Sequence, residues 1–336
     1  GNPPELRAAC AVALWRAGQA PAAADALASL ADGGANGPDA RVEVLRIVCA
    51  AACGDDGQVA RRLGALCWQG AVGKETALGL LAEASLIPPC APALDCIQAG
   101  LQALVRSGDA EDQAGAPCHG LEEGGGVASS CSARIAPLLR AGLRLVEIAE
   151  ACAVAPQRLR ACLALVVQVL ERSALAGPGE AADAGALARL LAARSFAAAW
   201  TCAASLWQSS GALEDCCGLL VLAQRLSPLL AGPSSSEGLL ASTLLLCRAR
   251  LRQAQQLCEE GAGEAAAELC RAAAQDATGA IRATGGSSAA PGRASAALAA
   301  LVEVELLLRC AGGSPPAALA TAGVPGEALL RAAARA

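Results

Sequence analysis

Apolar residues recur along this chain at three- and four-residue spacing, in stretches of 12–22 residues separated by short Gly/Pro punctuation. That pattern predicts helices near 4–18, 21–31, 39–53, 57–70, 74–85, 91–107, 132–154, 156–174, 180–193, 195–210, 212–230, 237–260, 262–284 and 294–310. A weaker helix follows Pro325. Gly18, Gly54, Gly211, Gly261 and Gly312 stand just past predicted helix ends, where a left-handed backbone costs glycine little. Pro21 and Pro156 stand in predicted first turns, which need no N–H donor. Apolar and polar residues never alternate over a strand's length, so the fold class is all-α.

Two segments break the rhythm. Gly108 to Cys131 is acidic, Gly-rich and nearly free of large apolar side chains, and reads as a disordered insertion. Gly285 to Gly292 is a smaller version. The expected organisation is a helical repeat block over 1–107, the insertion over 108–131, and a second block over 132–336.

Composition sharpens this picture. The 336 residues carry a net charge of −5, with one Phe, four Trp and no Tyr. An interior built from Ala and Leu suits helices in close contact, whereas strands favour β-branched and aromatic residues. Lys74 is the single Lys, so almost all positive charge is Arg. A chain-wide phosphate-binding surface does not fit this balance. Arg248, Arg250 and Arg252 spread around a helix and read as a solvated face. A chain without Met that opens at Gly1 reads as a piece of a longer protein.

The 17 cysteines lack any C-x-x-C pair and have one His, His119, for company, so no zinc site is expected. Cys152, Cys162, Cys202, Cys247 and Cys270 fall at helical spacing among Ala and Leu and read as small apolar fillers in a reducing compartment. The longest apolar run, Ala161 to Leu170, is too short to span a membrane.

Enzyme signatures fail in turn. The Gly70–Thr76 stretch resembles a phosphate loop, but Trp68 stands where a Gly is needed and Glu75 where Ser or Thr is needed. A nucleophile–base pair would have to be Cys118 with His119, in the segment expected to be disordered. Glu122–Glu123 and Glu259–Glu260 are neighbours that point apart, unlike an acid/base pair. No catalytic, cofactor or metal residue is therefore assigned, and no cofactor is expected.

Repeats carry the strongest signal. A tetratricopeptide unit is a helix pair of about 34 residues, with small residues where the helices approach and large ones in the gaps. With Gly211 as the turn glycine, Trp200, Ala204 and Trp207 take the first-helix positions. Cys216, Leu220, Ala223 and Pro228 take those of the second helix, placing the best unit near 197–230. Weaker units align on Gly261 and Gly18. These alignments imply a degenerate α-solenoid of antiparallel helix pairs. Trp200 and Trp207, two turns apart, share a face that reads either as a core stripe or as a partly open partner contact. Trp15 and Trp68 read as core.

The stretch Phe196 to Cys270, a Trp-led helix, a helix running into Ser227-Pro228-Leu229 and a long Leu-Leu-Leu-Cys helix, resembles the large meiotic tetratricopeptide scaffolds. These are the sporulation-twenty-two, zip-four and testis-expressed-eleven proteins. Ala40 to Val48 is similar to the segment upstream of that Trp. In that family the Trp is typically followed by Asn, and the pair is associated with partner contacts; here Thr201 follows Trp200. The resemblance implies a nuclear, chromosome-associated scaffold that promotes crossing-over by binding recombination or synaptonemal-complex proteins, with Trp200 and Thr201 as candidate contacts. Neither direct nucleic-acid binding nor membrane association is expected. The alternatives are the helical regulatory arm of a larger, separase-like enzyme, or a general cytosolic tetratricopeptide adaptor.

Overall fold

The computed structural model describes residues 4–28, 30, 40–68, 73–113, 128–175, 182–209, 212–230, 234–262 and most of 264–276. These residues are all helical or in turns, and no strand occurs among them. In chain order the helices are α1 (Pro4–Arg16), α2 (Ala20–Ala28), α3 (Ala40–Ala52), α4 (Asp56–Trp68), α5 (Lys74–Ala84) and α6 (Ala91–Gln113). They continue with α7 (Ala128–Ala151), α8 (Pro156–Leu175), α9 (Ala182–Ser209), α10 (Leu213–Leu226) and, after a 3-10 turn at Ser227–Leu229, α11 (Ser234–Glu259). Further helical residues lie between 264 and 276. The all-α class is therefore correct. The helices expected at 294–310 and after Pro325 lie outside the described residues.

One pair of predicted helices is a single helix. The sequence suggests separate helices near 180–193 and 195–210, but α9 runs unbroken through the boundary. Leu191, Ala192, Ala198 and Ala199 are buried on both sides of Ser195, and strong helix formers carry the helix through. The Ser195 hydroxyl is fully buried and caps nothing. Helix also reaches into both ends of the 108–131 segment, since α6 extends to Gln113 and α7 begins at Ala128. Residues 114–127 lie outside the described residues. The chain divides between Leu191 and Ala192 into two compact units.

Helix ends follow the expected chemistry where they are described. Gly18, Gly54 and Gly261 have φ of 76°, 74° and 83°. After α1, Gly18 N–H donates to Trp15 O at 2.9 Å and Gln19 N–H to Leu14 O at 2.9 Å, satisfying carbonyls the helix leaves open. The same closure ends α7 without a glycine: Val154 N–H reaches Ala149 O at 3.3 Å while Ala153 takes φ 46°. Gly211 and Gly312 lie outside the described residues.

In the first unit each helix packs on its successor or the one beyond, with α1 on α3, α3 on α5, α4 on α6 and α6 on α8. Leu80, Leu94, Ile97, Leu101, Leu145, Ile148 and Leu163 are fully buried there, with Cys49, Cys96 and Cys162 between them. A bare backbone sets the α5–α6 approach. A Cβ on Gly100 would lie 3.0 Å from Leu81 Cδ2 and 3.1 Å from the Ala77 carbonyl oxygen. Paired contacts also fix chain sense. Arg158 meets Asp95, and Cys162 Sγ lies 3.9 Å from Gln98 Oε1. Both numbers rise together, so α6 and α8 run parallel.

Arginines tie these helices end to side. Arg46 on α3 is buried and donates from Nη2 to the carbonyls of Leu27, at 3.2 Å, and Leu30, at 2.6 Å, just beyond the end of α2. Glu43 accepts from Arg46 at 3.4 Å and from Arg62 on α4 at 2.8 Å, so one carboxylate serves two guanidinium groups. Arg144 on α7 repeats the motif, donating to Ile87 O beyond α5 at 3.0 Å and to Glu147 at 3.2 Å. Trp15 is core as expected, and its Nε1–H donates to Glu83 Oε2 at 2.7 Å. The Trp68 side chain lies outside the described residues.

Candidate functional site

The residues aligned to the repeat signature sit in the second unit, on α9, α10 and the turn that follows. On α9, Ala192, Ser195, Ala199 and Ala203 form the fully buried face. Phe196, Trp200, Ala204 and Trp207 run along its half-buried flank, and Thr201 is exposed. This is the 3.6-residue period at work: positions 196, 200, 204 and 207 advance by about one turn each and stay on one side of the helix. Trp200 and Trp207 thus share a flank of the core, neither fully buried nor fully open.

Each aromatic has a partner. The Phe196 and Trp200 rings stack with centroids 6.4 Å apart and planes 6° from parallel. Their separation is near the outer limit of favourable aromatic contact. The Arg252 guanidinium from α11 lies 5.3 Å from the Trp207 ring centroid, a cation–π contact. At the other end a Cβ on Gly238 of α11 would lie 3.1 Å from Phe196 Cζ, so the ring seats against bare backbone.

The second-helix positions form the tight core. Cys216, Leu220 and Ala223 are fully buried. The Cys216 thiol donates to the Ala203 carbonyl at 3.4 Å, which brings α10 directly onto the backbone of α9. The fully buried small residue facing it is Ala203, one position before the aligned Ala204, which is half-buried. Pro228 is exposed in the 3-10 turn, where Ser227 Oγ–H closes the end of α10 by donating to Ala223 O at 2.8 Å. Gly211 lies outside the described residues.

Chain sense follows from cross-helix pairs. Cys217 Sγ lies 3.8 Å from Gln253 Oε1, and Gln224 Nε2–H donates to Thr243 Oγ1 at 2.8 Å. The α11 number falls as the α10 number rises, so α10 and α11 are antiparallel. Phe196 with Gly238 and Trp207 with Arg252 rise together, so α9 and α11 are parallel. Sequence reasoning missed Phe196, Ala203 and Arg252 as members of this cluster. The i, i+4 and i+7 spacing of Phe196 and Ala203 around Trp200 and Ala199 was the available signal; nothing local announces Arg252, which arrives from another helix.

The thiols here are poor nucleophiles. Burial, reinforced by Cys202, pushes the Cys216 thiol up to about 11. Burial and the adjacent Cys216 push Cys217 up to about 12. In the first unit burial pushes Cys49 and Cys162 up to about 11 and Cys96 to about 12. A thiol needs its thiolate to attack or to bind metal, so these side chains act as packing groups at neutral pH. Among the described residues no three His, Cys, Asp or Glu side chains are placed to hold a metal. No helix among them is long and apolar enough to cross a membrane. Lys74 opens α5 behind Gly73. Cys118, His119, Glu122 and Glu123 lie outside the described residues.

No family model matches the chain. No curated protein matches it either.

Proposed function

We propose that this chain is a non-catalytic scaffold, a degenerate tetratricopeptide-like α-solenoid of antiparallel helix pairs that binds other proteins. The observation that carries the reading is the alternation of chain sense across α9, α10 and α11, joined by the Cys216–Ala203 approach. Successive units of a helix-pair repeat place their first helices parallel and each second helix antiparallel between them. The α6–α8 parallel pair supports the same arrangement in the first unit. Partner contact falls to the α9 flank where exposed Thr201 adjoins half-buried Trp200.

The proposal extends to the partners. The resemblance of Phe196 to Cys270 to the meiotic scaffolds favours recombination or synaptonemal-complex proteins, and hence a nuclear, chromosome-associated site of action. The test is capture from meiotic nuclear extract on the immobilised chain, with bound proteins identified by mass spectrometry. Enrichment of chromosome-axis or recombination proteins supports the reading. An eluate at background, or dominated by proteins of unrelated compartments, overturns it.

A further inference from the structure

We draw no further inference here: the strongest candidate, the half-buried aromatic flank of α9 formed by Phe196, Trp200 and Trp207, already meets Gly238 and Arg252 of α11 at its two end rings, and nothing in the structure shows what covers the rest of it.

Discussion

Arg46 on α3 closes the chain end beyond α2 by donating to the Leu30 carbonyl at 2.6 Å, while its other nitrogen holds Glu43. Both groups are buried, so their loss is not made good by water. Arg46→Met keeps the bulk and removes the donors, stranding the Leu30 carbonyl and leaving the Leu27 carbonyl with the Leu30 N–H alone, at 3.1 Å. The expected loss is about 3 kcal/mol of unfolding free energy in urea, with Arg46→Lys recovering part of it. A loss for Arg46→Met below about 1 kcal/mol, the scale of an exposed ion pair, refutes the capping role.

Two glycines in helix interiors should respond with opposite signs. Gly100→Ala drives a methyl against the Ala77 carbonyl oxygen and Leu81, and should destabilise by about 1–3 kcal/mol. Gly64 on α4 has nothing within 4 Å of an added Cβ. Gly64→Ala should therefore stabilise by about 0.5–1 kcal/mol through helix propensity. Thermal melts of the two variants decide it; equal shifts would mean that the α5–α6 approach is looser than described.

Ala153 occupies a left-handed conformation that costs an alanine about 1 kcal/mol. Ala153→Gly removes that strain but loosens the unfolded chain. The net expectation is a small gain, up to about 1 kcal/mol, with the Val154 N–H to Ala149 closure intact. A clear loss of stability would show that the residue is not strained.

Alkaline pH should weaken the fold through its thiols. Cys49, Cys96, Cys162, Cys216 and Cys217 have folded values of about 11 or 12, raised first by burial. An unfolded thiol titrates near 8.5. Because the folded values are raised, this stability is complete below about pH 8.5 and is lost progressively as pH rises toward the folded values. With no Tyr and one Lys in the chain, most of the side chains able to titrate in that window are thiols. Melting temperature should fall steadily above about pH 9, and Cys96→Ala should flatten the fall after correction for its own packing loss. A melting temperature level across this range would contradict thiol burial.

The α9 flank separates folding from binding. Thr201→Glu places a charge on an exposed helical position and should leave the circular dichroism spectrum and melting temperature nearly unchanged, within about 0.5 kcal/mol. Captured partners should drop at least tenfold, whereas Arg248→Glu on α11 should leave capture unchanged. Undiminished capture by the Thr201 variant moves the binding surface elsewhere on the chain.

The helical class was legible because its signals are local: Gly/Pro punctuation, helical spacing and a supply of Ala and Leu. Gly18, Gly54 and Gly261 cap the helices that the sequence ends at them. The boundary expected between 193 and 195 does not exist, since Leu191, Ala192, Ser195, Ala198 and Ala199 are buried on both sides of it in one continuous helix. The α7 end was placed close to its true position, but its Ala153 closure carries no sequence mark. Of the repeat positions, Cys216, Leu220 and Ala223 are buried as aligned, while the small residue of the first helix is displaced from Ala204 to Ala203. In an Ala-rich helix neighbouring positions are chemically alike, and only the rotation of α9 against α10 distinguishes them. The roles of Arg46, Arg144 and Arg252 depend on which carbonyl or ring arrives from another helix, and no spacing rule carries that.

Each unit contains its own optical reporter. A chain with four Trp and no Tyr owes nearly all its absorbance at 280 nm and its intrinsic emission to indole rings. In the first unit, the Trp15 indole N–H is fixed to the Glu83 carboxylate. In the second, Trp200 lies against a phenyl ring and Trp207 beneath a guanidinium group. These three surroundings are chemically distinct, so Trp15, Trp200 and Trp207 should differ in emission maximum and quenching sensitivity. Phe substitutions taken singly assign the emission bands, and a denaturant titration followed at each band then reads the two units in one sample without an added dye.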